Sequence, residues 1–168
     1  MFKDERKRLL FIIPSLRCGG AERVLLNILQ YLDRRKFKPY LVLFETKGEF
    51  LAQIPSDVTI CYLNKKSRFD FFKMIFLLAY KVYPKVKPHV VISSMEYSNL
   101  IALISKKVSW VKPSILISEH TYNNSCLDQR MRKLKTLLMK KFYPKTDKMI
   151  TVSKAIAENL IKSHEISQ

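Results

Sequence analysis

The apolar residues of this chain fall into short unbroken runs separated by longer stretches of helical spacing. Residues 9–13 (LLFII) form the first run, and the lack of polar alternation marks a strand covered on both faces of a parallel sheet. Pro14 closes it, 15–20 make a short connection, and from Ala21 the period changes. Val24, Leu25, Ile28, Leu29 and Leu32 recur at helical spacing, which predicts a helix packing back on the strand it has just left. The alternation then repeats. Strands are predicted over 40–44, 58–63, 90–93, 115–118 and 149–152. Between them fall a short helix at 50–54 and longer ones over 69–83, 97–106 and 128–143, with a last helix capped by Ser153 and running through 161. Strand alternating with helix along the whole length predicts an α/β fold, a Rossmann-like doubly wound parallel sheet.

Ligands of such sheets bind beyond the carboxyl ends of the strands, near the point where strand order reverses. The strand-end residues therefore carry the functional interest: Arg17 to Gly20, Ser93 to Tyr97, Ser118 to Tyr122, and Ser153. Two of the three glycines, Gly19 and Gly20, sit together in the first of these turns. Adjacent glycines leave backbone N–H groups open at the positive end of a helix, a geometry that receives a phosphate or another anion. They also simply make a tight turn, and Glu22 in the first helical turn works against a bare phosphate cradle. The G-x-G-x-x-G spacing is absent, so an ordinary dinucleotide fingerprint is not supported.

Charge adds a second theme. The formal net charge of +17 and an isoelectric point near 9.9 point to an anionic partner: nucleic acid, acidic lipid or a phosphorylated substrate. Cys18, Cys61 and Cys126 lack metal-ligand spacing and read as free thiols in a reducing compartment. The opening MFKDERKR is too charged for a signal peptide, and no run approaches the roughly 18 apolar residues of a spanning helix. The expected location is the cytoplasm.

The stretch PSLRCGGAERVLLNIL resembles the start of a group 1 (family 4) glycosyltransferase, a retaining sugar transferase of the GT-B architecture. The resemblance implies that this turn lines the cleft between two Rossmann-like domains, with Gly19 and Gly20 against the donor's phosphates or the acceptor. It covers essentially all 168 residues but only the N-terminal, acceptor-side half of such an enzyme. In the family the C-terminal domain carries most of the nucleotide-sugar site, including a pair of glutamates, and no such segment occurs here. The chain is accordingly read as a fragment of a longer protein, with a natural half-enzyme as the alternative.

His120 is the sharpest candidate for chemistry. It follows the apolar run of residues 115–118 and should emerge at the carboxyl end of a strand. A lone histidine there commonly serves only as a loop hydrogen-bond donor. ISEHTYNN, however, is similar to the family's strand-end histidine motif, which implies a catalytic position near the reacting centre, where His120 would position and polarise. Glu119 alternates to the opposite side of the strand and reads as structural or as an acceptor contact. Ser94, Glu96 and Tyr97 end the preceding strand. They can cap the next helix or bind sugar hydroxyls, and the resemblance places this loop beside the acceptor.

Residues 130–145 hold seven cations and no acid. Leu127, Met131, Leu134, Leu138 and Phe142 form a stripe that predicts packing on the core, but an ordinary exposed face mixes lysine with glutamate. A basic amphipathic helix on anionic lipid explains the single sign, with Arg130, Arg132, Lys133, Lys140 and Lys141 as the membrane contacts and the aromatic segment 69–83 adding apolar contact. Two functions follow. One is the acceptor-binding domain of a retaining glycosyltransferase. It would use a nucleotide-diphosphate sugar without a metal and a lipid- or polyprenyl-linked glycan acceptor, at the inner membrane face. The other is a non-enzymatic basic α/β module binding nucleic acid or anionic membrane. No nucleic-acid motif is present, so the first is the working expectation.

Overall fold

The structure, a computed structural model, describes residues 4–67, 70–120, 129–151, 153, 154 and 158. The expected final helix through 161, Cys126, Leu127, and the side chains of Arg130, Met131 and Arg132 lie outside what it describes. Each predicted strand is present: β1 Lys7–Ile13, β2 Phe37–Leu43, β3 Thr59–Tyr62, β4 Val90–Ser94, β5 Ser114–Glu119 and β6 Lys148–Thr151. They form one six-stranded sheet in the order β3-β2-β1-β4-β5-β6, parallel throughout. The helices are α1 Gly20–Tyr31, α2 Phe71–Leu77, α3 Tyr83–Val86, α4 Glu96–Val108 and α5 Gln129–Phe142.

Residues of β1 alternate between two apolar layers, which is why its sequence reads as an unbroken run. Leu9, Phe11 and Ile13 meet Leu25, Leu26 and Leu29 of α1 on one face. Leu10 and Ile12 belong to the opposite layer, with Met74 and Ile75 of α2, Leu100 to Leu103 of α4, and Met139 and Phe142 of α5. The sheet is thus covered by α1 on one side and by α2, α4 and α5 on the other.

Three expectations needed correction. In α1 the inward face is Ala21, Glu22, Leu25, Leu26 and Leu29, so Val24 and Ile28, expected inside, are exposed. In α5 the buried positions are Met139 and Phe142 with Leu138 partly covered, while Leu134 is exposed. Both helices carry apolar residues round more than half their circumference, so the stripe alone left the phase open by one position. The helix expected over 69–83 begins at Phe71, passes through a π turn at Leu78–Val82 and continues through Pro84 to Val86. The wider turn lets Leu78, Ala79, Val82 and Tyr83 all bury.

The third glycine shapes the site from below. Gly48 has φ +139, and a Cβ there would stand 1.9 Å from the Leu16 carbonyl oxygen. Only glycine lets the loop after β2 close on the loop after β1, where Leu16 N–H donates to Lys47 O (3.1 Å) and Phe50 N–H to Leu16 O (3.2 Å).

Candidate functional site

From β1 the chain proceeds outward to β2 and β3, then returns to the other flank of β1 as β4. The crevice above β1 and β4 is therefore the switch point of the sheet, where a ligand has room between diverging loops. Gly19 caps α1 in an extended conformation with no side-chain hydrogen bond, its own N–H donating to Arg17 O (2.9 Å). The first-turn N–H groups of Gly20, Ala21 and Glu22 have no intrahelical acceptor and open at the crevice.

The two glycines prove to differ in kind. A Cβ on Gly19 would meet Glu22 Oε2 at 2.2 Å, because the Glu22 side chain folds back over the turn and is only 6% exposed. A Cβ on Gly20 would meet nothing within 4 Å. Gly19 is thus needed by the protein's own packing. Gly20, at the first helical position, is bordered by open space.

Strand alternation sorts the other strand-end residues between the two faces. Ser93 and Glu119 point to the α4–α5 side, with Val91, Ile115 and Ile117; Ser94, Ser118 and His120 fall on the α1 side. Ser94 and Ser118 are register partners across β4 and β5, and Ser118 Oγ shares a 2.9 Å hydrogen bond with His120 Nε2. Burial holds the His120 imidazole below its ordinary value, and the negative charge of Glu22 acts in the opposite direction. The ring is therefore neutral at pH 7, able to donate through one nitrogen and accept through the other. The α1 side of the crevice so combines open helix N–H groups, small hydroxyls and a neutral histidine beside a carboxylate. Such a set can hydrogen-bond sugar hydroxyls or phosphate oxygens and steady a proton.

The α4–α5 side is built differently. Glu119, 2% exposed, accepts hydrogen bonds from Asn99 Nδ2 (2.8 Å) and from the Tyr143 hydroxyl. Burial pushes its carboxyl up to about 7 against the pull of these donors. Asn99 Nδ2 also approaches Ser118 O (3.2 Å), and Met95 N–H donates to Ser118 O (3.1 Å), tying the β4 turn to β5. Met95 takes φ +74 there, a left-handed conformation that a non-glycine residue rarely adopts. Glu96 is paired with Lys135 of α5. Tyr97 packs its ring against Phe44 and Phe71 (centroids 5.8 and 5.7 Å), with Lys65 Nζ 4.3 Å from the ring centre. Its hydroxyl is buried without a partner, and burial pushes it up to about 12.

These placements divide the expected substrate contacts between the two sides of the crevice. Glu119, Glu96 and Tyr97 are engaged by the protein itself and brace the crevice, whereas Gly19, Gly20, Ser94 and His120 gather on its α1 side. Asn99, Tyr143 and Lys135 were not singled out as parts of this region, and Glu22 only as an obstacle to an anion. A polar residue at an inward position of an amphipathic helix, as Glu22 is, was the one available signal. Of the basic residues, Lys133, Lys140 and Lys141 are exposed, and the ion pair of Lys135 with Glu96 breaks the single-signed character of α5. Cys18 and Cys61 are free, and the Cys18 thiol donates to Glu49 Oε2 (2.6 Å), which raises its pKa. Among the described residues no group of three His, Cys, Asp or Glu side chains is placed to hold a metal ion.

Residues 18–168 match the family model described as Glycosyltransferase Family 4. The chain belongs to that family. A glycosyltransferase from Rickettsia africae superposes with a TM-score of 0.71 at 16% identity, over 96% of this chain and 41% of that one. The lipopolysaccharide outer core galactosyltransferase WaaB gives 0.67 at 18% identity, over 95% and 43%. Sucrose-phosphate synthase from Thermosynechococcus elongatus gives 0.68 at 13% identity, over 94% and 45%. At these identities the likeness is one of fold: a Rossmann-like domain matching part of a GT-B glycosyltransferase. The chain spans less than half the length of these solved structures. A search of curated proteins found no match.

Proposed function

We propose that these 168 residues form the acceptor-side domain of a nucleotide-sugar-dependent glycosyltransferase that transfers its sugar with retention of configuration. The acceptor is a glycan on a lipid or polyprenyl carrier, at the cytoplasmic face of the membrane, in the assembly of a cell-surface polysaccharide. The observation that carries the reading is the family match over 18–168, together with the open space at Gly20 and the nearness of the Glu22 charge to His120. Gly19, Gly20 and Ser94 hold phosphate or sugar oxygens. Neutral His120, steadied by Ser118 and facing the charge of Glu22, polarises a hydroxyl at the reacting centre. The main contacts to the nucleotide come from a second domain outside these residues, and no metal is required. One of the similar structures is named as a lipopolysaccharide outer core galactosyltransferase, which supports a membrane glycolipid as the acceptor class.

The test pairs the 168-residue domain with the complete enzyme that contains it, each incubated with a panel of nucleoside-diphosphate sugars and lipid-linked oligosaccharide acceptors. The complete enzyme should transfer one sugar and the isolated domain should turn over none. Tight, saturable binding and hydrolysis of a donor by the isolated domain would overturn the division of labour.

A further inference from the structure

The side of the sheet opposite α1 exposes an aromatic row that the transfer reaction does not use. Phe72 is 79% exposed, Phe76 56% and Trp110 71%. Their rings fall into two contacting groups. Phe76 and Tyr80 lie 4.9 Å apart between centroids, and Tyr80 and Trp110 5.7 Å. At the other end Phe72 contacts Phe71 (5.6 Å), which contacts Tyr97 in the wall of the crevice (5.7 Å). The Tyr80 hydroxyl donates to Val108 O (3.2 Å), fixing the row across α2 and the end of α4. Single exposed apolar side chains are ordinary, but two groups of exposed rings in one helical layer mark a surface that something covers.

Charge says what covers it. Lys73 of α2 and Lys81 of the following π turn flank the row, and Lys107 and Lys112 flank Trp110, all exposed. Between 71 and 113 the only acid is Glu96, and it is already paired with Lys135. The neighbouring α5, packed in the same helical layer, adds exposed Leu134 and Leu137 with Lys133, Lys140 and Lys141. Exposed aromatic rings, aliphatic side chains beside them and a lysine rim fit the boundary of an anionic bilayer. Rings settle at headgroup depth there while lysine stems reach back to the phosphates. Nucleic acid fits the charge but has no use for the exposed aliphatic Leu134 and Leu137.

We propose that the outer surface of the α2–α4–α5 layer, with Phe72, Phe76, Tyr80 and Trp110 as its apolar anchors, docks on anionic membrane lipid. This rests on the reading that the acceptor is lipid-carried, and it moves the main attachment from the basic helix α5 to the aromatic row of α2. Because the row begins beside Tyr97, docking brings the mouth of the crevice to the lipid surface, where a carrier-linked acceptor would be met.

Trp110 is the only tryptophan and therefore reports on the proposed surface directly. The full chain is mixed with phosphatidylglycerol–phosphatidylethanolamine vesicles, with neutral phosphatidylcholine vesicles, and with anionic vesicles carrying brominated acyl chains. The expected result is a blue shift of Trp110 emission and quenching by the brominated lipid, strong on anionic vesicles and weakened by salt. Phe72→Ser with Phe76→Ser should weaken partitioning at least about tenfold at an unchanged melting temperature. Flotation with anionic vesicles without quenching of Trp110 would overturn the surface while leaving the membrane reading standing. Absence of any vesicle binding would overturn both. Loss of Trp110 exposure on concentration-dependent dimerisation, or displacement from vesicles by equimolar single-stranded DNA, would give the face to a second copy or to nucleic acid and end the proposal.

Discussion

Glu119 and His120 are neighbours in sequence and opposites in role. Glu119 turns into the α4–α5 side, where Asn99 and Tyr143 satisfy it in the core. His120 turns to the α1 side, half-buried, held by one serine and lying within the field of Glu22. The same division runs through the whole carboxyl edge of the sheet. One side ties its carboxylates to donors of the protein itself, Glu119 to Asn99 and Tyr143 and Glu96 to Lys135. The other leaves donors open at Gly20 and a neutral imidazole near them. The period of two along a strand is enough to separate scaffold from site.

The sharpest way to break this comparison is to truncate both residues. In the complete enzyme, His120→Ala should lower turnover by roughly 30- to 1,000-fold, equivalent to about 2–4 kcal/mol of transition-state stabilisation, with little change in melting temperature. Glu119→Ala should do the reverse. It removes the carboxylate acceptor shared by the Tyr143 hydroxyl and the Asn99 amide, at about 1–3 kcal/mol of stability, read as a lower urea midpoint. A stable Glu119→Ala protein with lost turnover would erase the distinction.

A pH series sharpens it further. The Glu119 carboxyl, pushed up to about 7 from an ordinary 4.5, holds its proton more tightly folded than unfolded. Its contribution to stability is fully present below about 4.5 and drains away as pH rises through about 7. Melting temperature should fall across that window, and Glu119→Gln, which keeps the shape and removes the titration, should flatten the slope. An unchanged slope in the variant would mean that Glu119 is ionised throughout.

The two glycines give the smallest stability effects but a clean contrast. Gly20→Ala should shift stability by less than about 1 kcal/mol in either direction, since the new methyl meets open space, and should still lower turnover by crowding the N–H groups. Gly19→Ala forces the Glu22 carboxylate aside. With that charge displaced, the His120 imidazole should titrate at lower pH, and Glu22→Gln should reproduce the shift in an NMR titration. If neither variant moves the His120 titration, Glu22 is no neighbour of the ring in solution.

The strands were plain in the sequence because a central parallel strand is buried on both faces and shows no polar interruption; 9–13 is the clearest case. The opposition of Glu119 and His120 was also legible, since it needs only the alternation of one strand. Helix phase was not. Val24 and Ile28 are as apolar as Leu25 and Leu29, and only the packed fold shows that Leu26 joins the buried layer while they face outward. The internal partners of Glu96 and Tyr97 were hidden for a related reason. Their partners, Lys135 for one and Phe44 and Phe71 for the other, lie far along the chain and are joined only by the fold. Glu22 looked like an obstacle to an anion because a first-turn carboxylate usually faces the ligand. Here it folds over Gly19 and leaves the space at Gly20 clear.

The claim that ligands meet the α1 side of the crevice is tested most directly by amide NMR of the domain during titration with millimolar inorganic pyrophosphate, the simplest mimic of a donor's phosphates. The account predicts that the shifts concentrate on Gly19, Gly20, Ala21 and Glu22, with smaller changes at Ser94 and His120. The amides of Glu96, Asn99 and Tyr143 should stay in place. Shifts centred on those three residues, or spread only over the lysines of α2 and α5, would contradict it.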